Sequence, residues 1–177
     1  MAVQIGARPD SGFDDPIGML KDCHRRIEQF LNTICTVVER AHARSLSEEE
    51  AAAIEAALYY FRVGGKRHTA DEEESLFPRL RADARLANLP ELGRLEDEHY
   101  EAKELHDRVS LLFTAWIRNG RLNAENEQQL ASATQRLKSL YTEHIEMEET
   151  VVFPRAGAAL DGKTIAVIGE EFRARRA

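Results

Sequence analysis

Disulfides, membrane spans and strands are all missing from what this sequence offers. It has two cysteines in 177 residues. Both, Cys23 and Cys35, fall on one predicted helix, where twelve residues of rise hold them about 18 Å apart, beyond disulfide reach. Cysteine used so sparingly suits a reducing compartment, and a cytoplasmic protein is expected. No apolar run approaches the ~18 residues that cross a membrane. The first ten residues lack the charged and apolar regions of a secretory signal. Cations are in the minority: 24 Lys and Arg against 31 Asp and Glu leave a formal charge of −7. That balance is a poor match for nucleic acid or an anionic membrane. The basic ending, Arg173 to Arg176, is too short to reverse it and reads as a solvated helix end. No run alternates with the period of two that a half-buried strand needs.

What is present is helical periodicity. Residues 1–15 show none and are expected as a flexible lead-in. Pro16 then stands at a first helical position after Asp14 and Asp15. From there Ile17, Leu20, His24, Ile27, Leu31, Ile34 and Val38 step by threes and fours, predicting a first helix to about Ala43. Ser47 and Glu50 form a capping box that opens a second helix, running to about Leu80. Gly64-Gly65 interrupts it, which predicts either a weakened helix or a close packing partner. Pro78 predicts a bend near its end. A third helix runs from Leu92 to Asn119-Gly120, and Asn123 caps a fourth that reaches about Ala159. Short connections imply antiparallel neighbours, so residues 16–160 are expected as an all-α, up-down-up-down four-helix bundle. Residues 161–177 are expected as a C-terminal tail with a short fifth helix over Thr164 to Arg176.

One motif is written twice. His68-x-x-x-Glu72-Glu73-x-x-x-Phe77-Pro78-Arg79 recurs as His144-x-x-x-Glu148-Glu149-x-x-x-Phe153-Pro154-Arg155. Each copy follows a lone histidine in an acidic stretch, His24 and His99, at separations of 44 and 45 residues. The two halves are thus related by an offset of 75 to 76 residues, and a pseudo-twofold axis would bring both sets of polar residues to one place.

The spacing has a physical reading. Residues four apart on an α-helix lie about 40° apart in angle and 6 Å along the axis. His68 with Glu72, and His144 with Glu148, therefore share the face that also carries the apolar stripe. A carboxylate aimed into a core is costly unless it is paired or holds a metal. Taken singly, His24 would read as a satisfied core histidine and each His-x-x-x-Glu as an exposed helix pair. Duplication, with an upstream histidine at nearly the same distance, favours metal ligation by His24, His68, Glu72, His99, His144 and Glu148. Glu73, Glu74, Glu146 and Glu149 read as solvated. Imidazole and carboxylate without thiolate favour iron, manganese or zinc over copper(I).

These residues resemble the hemerythrin-like (HHE cation-binding) family, over residues 16 to 160. The resemblance implies a non-haem di-iron centre in a left-handed four-helix bundle, with two iron ions joined by an oxo or hydroxo bridge. His24, His68, His99 and His144 would be terminal ligands, and Glu72 and Glu148 would bridge the metals. The oxygen-carrying members have a His-x-x-x-His pair on the third helix. Here Leu95 and Lys103 flank His99 at that spacing, so one imidazole fewer is supplied. The carriers also bridge with an Asp at longer spacing. The pattern is closer to the bacterial stand-alone and iron-centre-repair members, although with 23 residues ahead of His24 the cysteine-containing N-terminal domain usual in the repair proteins is not expected. Four imidazoles, two bridging carboxylates and a solvent bridge leave about one open position on each of two octahedral ions.

The expected function is binding or reduction of small oxygen or nitrogen species such as peroxide, nitric oxide or dioxygen, with an unidentified electron donor. The alternative is a metal- or redox-sensing or storage module without turnover. The residues show no dedicated acid or base, so enzyme activity is left open. Around the site, His106 and Tyr141 are candidates for outer contacts, and Gly64-Gly65 is a candidate entry for a small ligand. Cys23 reads as helix packing. His42 lies too far along the first helix for a site role.

Overall fold

The computed structural model describes residues 10–86 and 88–177. Most of the lead-in expected over residues 1–15 lies outside them. Among the described residues the regular structure is five helices: α1 (Pro16–Ala41), α2 (48–82), α3 (Glu91–Asn119), α4 (124–159) and α5 (Gly162–Ala174). Their starts are chemically explicit. Asp15 accepts from Gly18 N ahead of α1, with Pro16 in the first turn. Ser47 and Glu50 satisfy one another's backbone N–H ahead of α2. Asn123 caps α4 and Asp161 caps α5. Each cap satisfies donors that a helix start would leave unpaired. α3 ends at Gly120 in the left-handed region (φ 73°), where glycine carries no Cβ penalty. α1 ends at His42, also left-handed (φ 43°).

The four long helices close a ring of neighbours: α1 packs on α2 and α4, and α3 on α4 and α2. This is the expected antiparallel bundle. α5 lies across one end, touching α1 and α2. Gly169 permits that docking, because a Cβ there would meet the Phe13 carbonyl oxygen at 1.9 Å.

The two prolines and the paired glycines do not break their helices. The wider π-type turn takes up the strain at residues 61–65, 71–76 and 148–152, with helical dihedral angles at the residues flanking each. The amide of Phe77 donates to the Glu72 carbonyl and that of Phe153 to the Glu148 carbonyl, five residues back in each case. Pro78 and Pro154 follow directly. Each wide turn lets the chain pass a residue that has no N–H and whose ring would clash with the preceding turn. At the glycine pair, the Tyr60 ring lies over Gly64, where a Cβ would come within 2.7 Å of it. Close packing, the second of the two expectations, explains that residue.

The apolar core is divided. One cluster holds Ile27, Ile34, Phe113, Trp116, Leu130 and Leu137. The other, towards α5, holds Leu20, Phe77, Leu80, Leu95, Phe153 and Phe172. Buried polar side chains lie between these clusters along the helices, among them His24, His68, Glu72, His99, His144 and Glu148.

Candidate metal centre

The six side chains singled out by the repeat converge. They form two groups, His24, His68, Glu72 and Glu148 in one, and Glu72, His99, His144 and Glu148 in the other. Within each group the donor atoms lie within 4.8 Å of one another. Both carboxylates belong to both groups. Glu72 faces His68 Nε2 at 3.4 Å with one oxygen and His99 Nε2 at 3.2 Å with the other. Glu148 Oε2 stands 3.0 Å from His24 Nε2 and 3.4 Å from His144 Nε2.

These distances suit ion pairs, yet none is aligned as a hydrogen bond. The Nε2 atoms of all four histidines and both oxygens of Glu72 and Glu148 are buried without a hydrogen-bond partner. Three of the imidazoles have Nδ1 against an outer carboxylate, so Nδ1 carries the donated proton and Nε2 presents a lone pair inward. Lone pairs from nitrogen and oxygen thus face one another at close range in a buried layer. Such an arrangement is stable only with positive charge among them.

Protons can supply part of that charge. Burial opposes charge on His24, but contact with Glu148 and the charges of Glu148 and Glu72 outweigh it and lift His24 to about 9. Burial, reinforced by the Glu148 charge, pushes Glu72 well above the usual carboxylate range. Burial would also raise Glu148, but His144 and His24 hold it below its ordinary value. Burial and neighbouring histidines drive His68 strongly towards its neutral form. The donor set fits a pair of divalent cations, and its nitrogen and oxygen character suits iron, manganese or zinc. Neither group includes a cysteine.

The two glutamates, the Phe and the Pro of the repeated motif each have an identifiable task. The first Glu points inward. The second reaches to the partner half: Glu73 accepts from His99 Nδ1 at 2.8 Å and Glu149 from His24 Nδ1 at 2.8 Å. The Phe stacks on the same imidazole, Phe77 on His99 at 6.3 Å and 7°, Phe153 on His24 at 5.5 Å and 12°. The wide turn and the Pro place that ring. Each motif copy therefore supplies its own His and Glu and steadies the lone histidine of the other half.

This corrects the reading of Glu73 and Glu149 as solvated, since both orient imidazoles. Glu98 is a further contact that the sequence did not reveal: it accepts from His144 Nδ1 at 2.9 Å and is itself held by Arg94 at 2.6 Å. The Arg-rich ending is corrected as well. Arg175 and Arg176 close on Asp71, which is fully buried beside Glu72, at 3.0 and 2.6 Å. Arg79 joins Glu171 of α5 through two bonds of 2.7 and 3.0 Å.

His106 and Tyr141 prove to be partners, His106 Nε2 to the Tyr141 hydroxyl at 3.1 Å. Tyr141 packs edge-on to His144 at 6.2 Å. Both line a cavity of about 1110 Å³ that also touches Gly65, Phe61, Glu73 and His99. The cavity reaches the layer from the His99 side, and His99 is the most exposed of the four imidazoles at 8 %. Cys23 is buried with its thiol free and its carbonyl accepting from Tyr60 at 3.2 Å. No helix among the described residues is long and apolar enough to cross a membrane.

A family model described as hemerythrin HHE cation binding domain matches residues 15–156. No match is found among curated proteins.

Proposed function

The chain belongs to the hemerythrin HHE cation-binding family, and on that premise we propose that it holds two iron ions and binds or reduces small oxygen or nitrogen species. His24 and His68 would serve one ion and His99 and His144 the other, with Glu72 and Glu148 shared. One observation carries this reading. Four imidazole nitrogens and four carboxylate oxygens are buried, unpartnered and aimed at one another. Iron bound there would supply Lewis acidity and electrons to a small ligand.

The chain's own residues do the rest. Glu73, Glu98 and Glu149 fix the tautomer and rotation of three imidazoles. The apolar clusters on either side keep bulk water from the layer. The cavity beside His99 and Tyr141 gives peroxide, nitric oxide or dioxygen a route. Tyr141 can donate a hydrogen bond there, since burial pushes its phenol well above its ordinary value and keeps it protonated. Two free, buried thiols suit a reducing, cytoplasmic setting. The acidic balance argues against nucleic acid and anionic membranes as partners.

Metal analysis after anaerobic Fe(II) loading, with near-ultraviolet ligand-to-metal absorption on exposure to air, tests the reading. Two iron ions per chain are expected. Glu72→Ala and Glu148→Ala each touch both groups and should each lose most of the iron. A chain that takes up none overturns the proposal.

A second reading, sensing without turnover, is favoured by one feature. Asp71 lies beside Glu72 and is gripped by Arg175 and Arg176 just past the C-terminal end of α5. Metal at Glu72 would then be felt by α5. Amide exchange in α5 that is the same with and without iron would remove that reading.

A further inference from the structure

The pseudo-twofold relation that pairs the two motif copies can be carried through every contact to the imidazoles. Glu73 of α2 holds His99 of α3, and its mate Glu149 of α4 holds His24 of α1. Phe77 and Phe153 follow the same exchange. Glu98 of α3 holds His144 of α4. Its mate on α1, 75 residues earlier, should hold His68 of α2. That residue is Cys23.

A thiol is a weak acceptor. His68 Nδ1 is buried and has no hydrogen-bond partner among the described residues, alone among the four Nδ1 atoms. His68 is 2 % exposed, so bulk solvent does not reach it.

We propose that the two metal positions are unequal: the one served by His99 and His144 binds more tightly and fills first, and Cys23 in place of a carboxylate weakens the one served by His24 and His68. This rests on the metal-binding reading above. The physical link is direct. An imidazole that binds metal through Nε2 must carry its proton on Nδ1. A carboxylate there raises the basicity of Nε2 and fixes the ring, and loss of such a contact commonly weakens metal binding 10- to 100-fold. His99 and His144 both have the contact, and Arg94 steadies Glu98 in turn. Of the other pair only His24 has it. The tighter position is also the one beside the cavity, so strong retention coincides with the more open side.

Zn(II) is the probe, because it is diamagnetic and redox-silent. The metal-free full chain, labelled with ¹⁵N-histidine, is titrated with Zn(II), and competition with a chromogenic chelator gives the two stepwise constants. Imidazole signals are assigned with single His→Gln variants. His99 and His144 should shift with the first equivalent and His24 and His68 with the second, the constants differing roughly 10- to 100-fold. Cys23→Glu should raise the second constant towards the first. Arg26, whose guanidinium already approaches the Cys23 sulfur at 3.8 Å, can steady the new carboxylate. Glu98→Ala should lower the first constant towards the second, with partial recovery in Glu98→Asp. This arm stands if Cys23→Glu does not fold. Equal constants, or His24 and His68 shifting first, overturn the inequality while leaving the metal centre intact. Unequal constants that neither substitution moves overturn the role of Cys23. No uptake of Zn(II) at all defeats the metal reading itself, a distinguishable failure.

Discussion

The two halves of the bundle supply the same inward groups and support them in different ways. In the first half, Asp71, Ser75 and Arg79 are bound by α5 through Arg175 and Glu171. The equivalent residues of the second half are Met147, Val151 and Arg155, and no hydrogen bond or ion pair joins their side chains to another element among the described residues. The second half has instead the His106–Tyr141 pair, where the first half has Leu31 and Gly65; that pair faces a cavity that α2 of the first half and α3 of the second line together. One half is braced from outside, and the other is open to solvent where its α3 meets α2. The lesson is that duplication preserved what points to the centre and left its backing free to diverge. A braced half next to an open one is what a site needs if it must hold its shape and still admit a ligand.

The comparison can be broken most forcefully at Asp71. Asp71→Ala leaves two guanidiniums, about 20 % exposed, facing a buried surface without their partner. Removing one member of a buried pair costs about 3 kcal/mol or more. The melting temperature of the metal-free protein should fall by about 10 °C in calorimetry. An unchanged melt would show that α5 does not brace the first half.

The repeated arginines separate the halves more finely. Arg79→Ala removes a two-pronged bond to Glu171 and should cost about 1 to 2 kcal/mol in urea unfolding. Arg155→Ala, on an exposed side chain, should stay within about 0.5 kcal/mol. Equal losses would erase the distinction.

Acid should act through the open half. Burial holds His106 at about 4, against an ordinary value of 6.5. The fold therefore favours neutral His106 while the unfolded chain takes up a proton below 6.5. Its contribution is complete above that pH and drains away as the pH falls towards 4. His106→Leu combined with Tyr141→Phe removes both polar partners together. The double variant should lose about 1 kcal/mol less stability than the parent between pH 7 and pH 5. Parallel pH profiles would count against a buried neutral His106.

Gly65 tests ligand entry with little expected change in stability. A Cβ there meets nothing closer than Phe61 at 3.9 Å, so Gly65→Leu should fold with a change below about 1 kcal/mol. Its side chain would extend along the cavity and slow azide binding to the iron-loaded protein in stopped-flow measurements. Unchanged rates would mean that ligands enter elsewhere.

The sequence revealed the fold and the six inward residues for one reason: the helical period and the repeat are local signals, and two copies confirm one another. The outer contacts were hidden because they cross between helices. Glu73 and Glu149 sit about 100° round the helix from the inward Glu, a direction that reads as solvent until the neighbouring helix is in place. Their identity in both motif copies was the available clue. Glu98 offered no such clue, since its mate is a cysteine. Asp71 and its arginines are separated by 104 and 105 residues, and a basic chain ending gives no hint of its target. Proline was read as a bend, and the widening of the helix just before it was not foreseen. Dihedral angles scarcely distinguish the two windings, and residue types do not encode the choice.

That widening restricts how the chain can vary in length. Each wide turn ahead of a proline contains one residue more than an ordinary turn would, and it begins at the inward glutamate or the residue before it. Deleting a single residue, Glu74 or Thr150, would either set the proline ring against the preceding turn of an ordinary helix or, with the wide turn kept, rotate everything beyond it by about 100°. Phe77 or Phe153 would swing off its imidazole, and α5 or the chain end would be carried round with it. Substitutions between Glu72 and Phe77 are therefore open to trial, while a one-codon loss in that interval is forbidden by geometry.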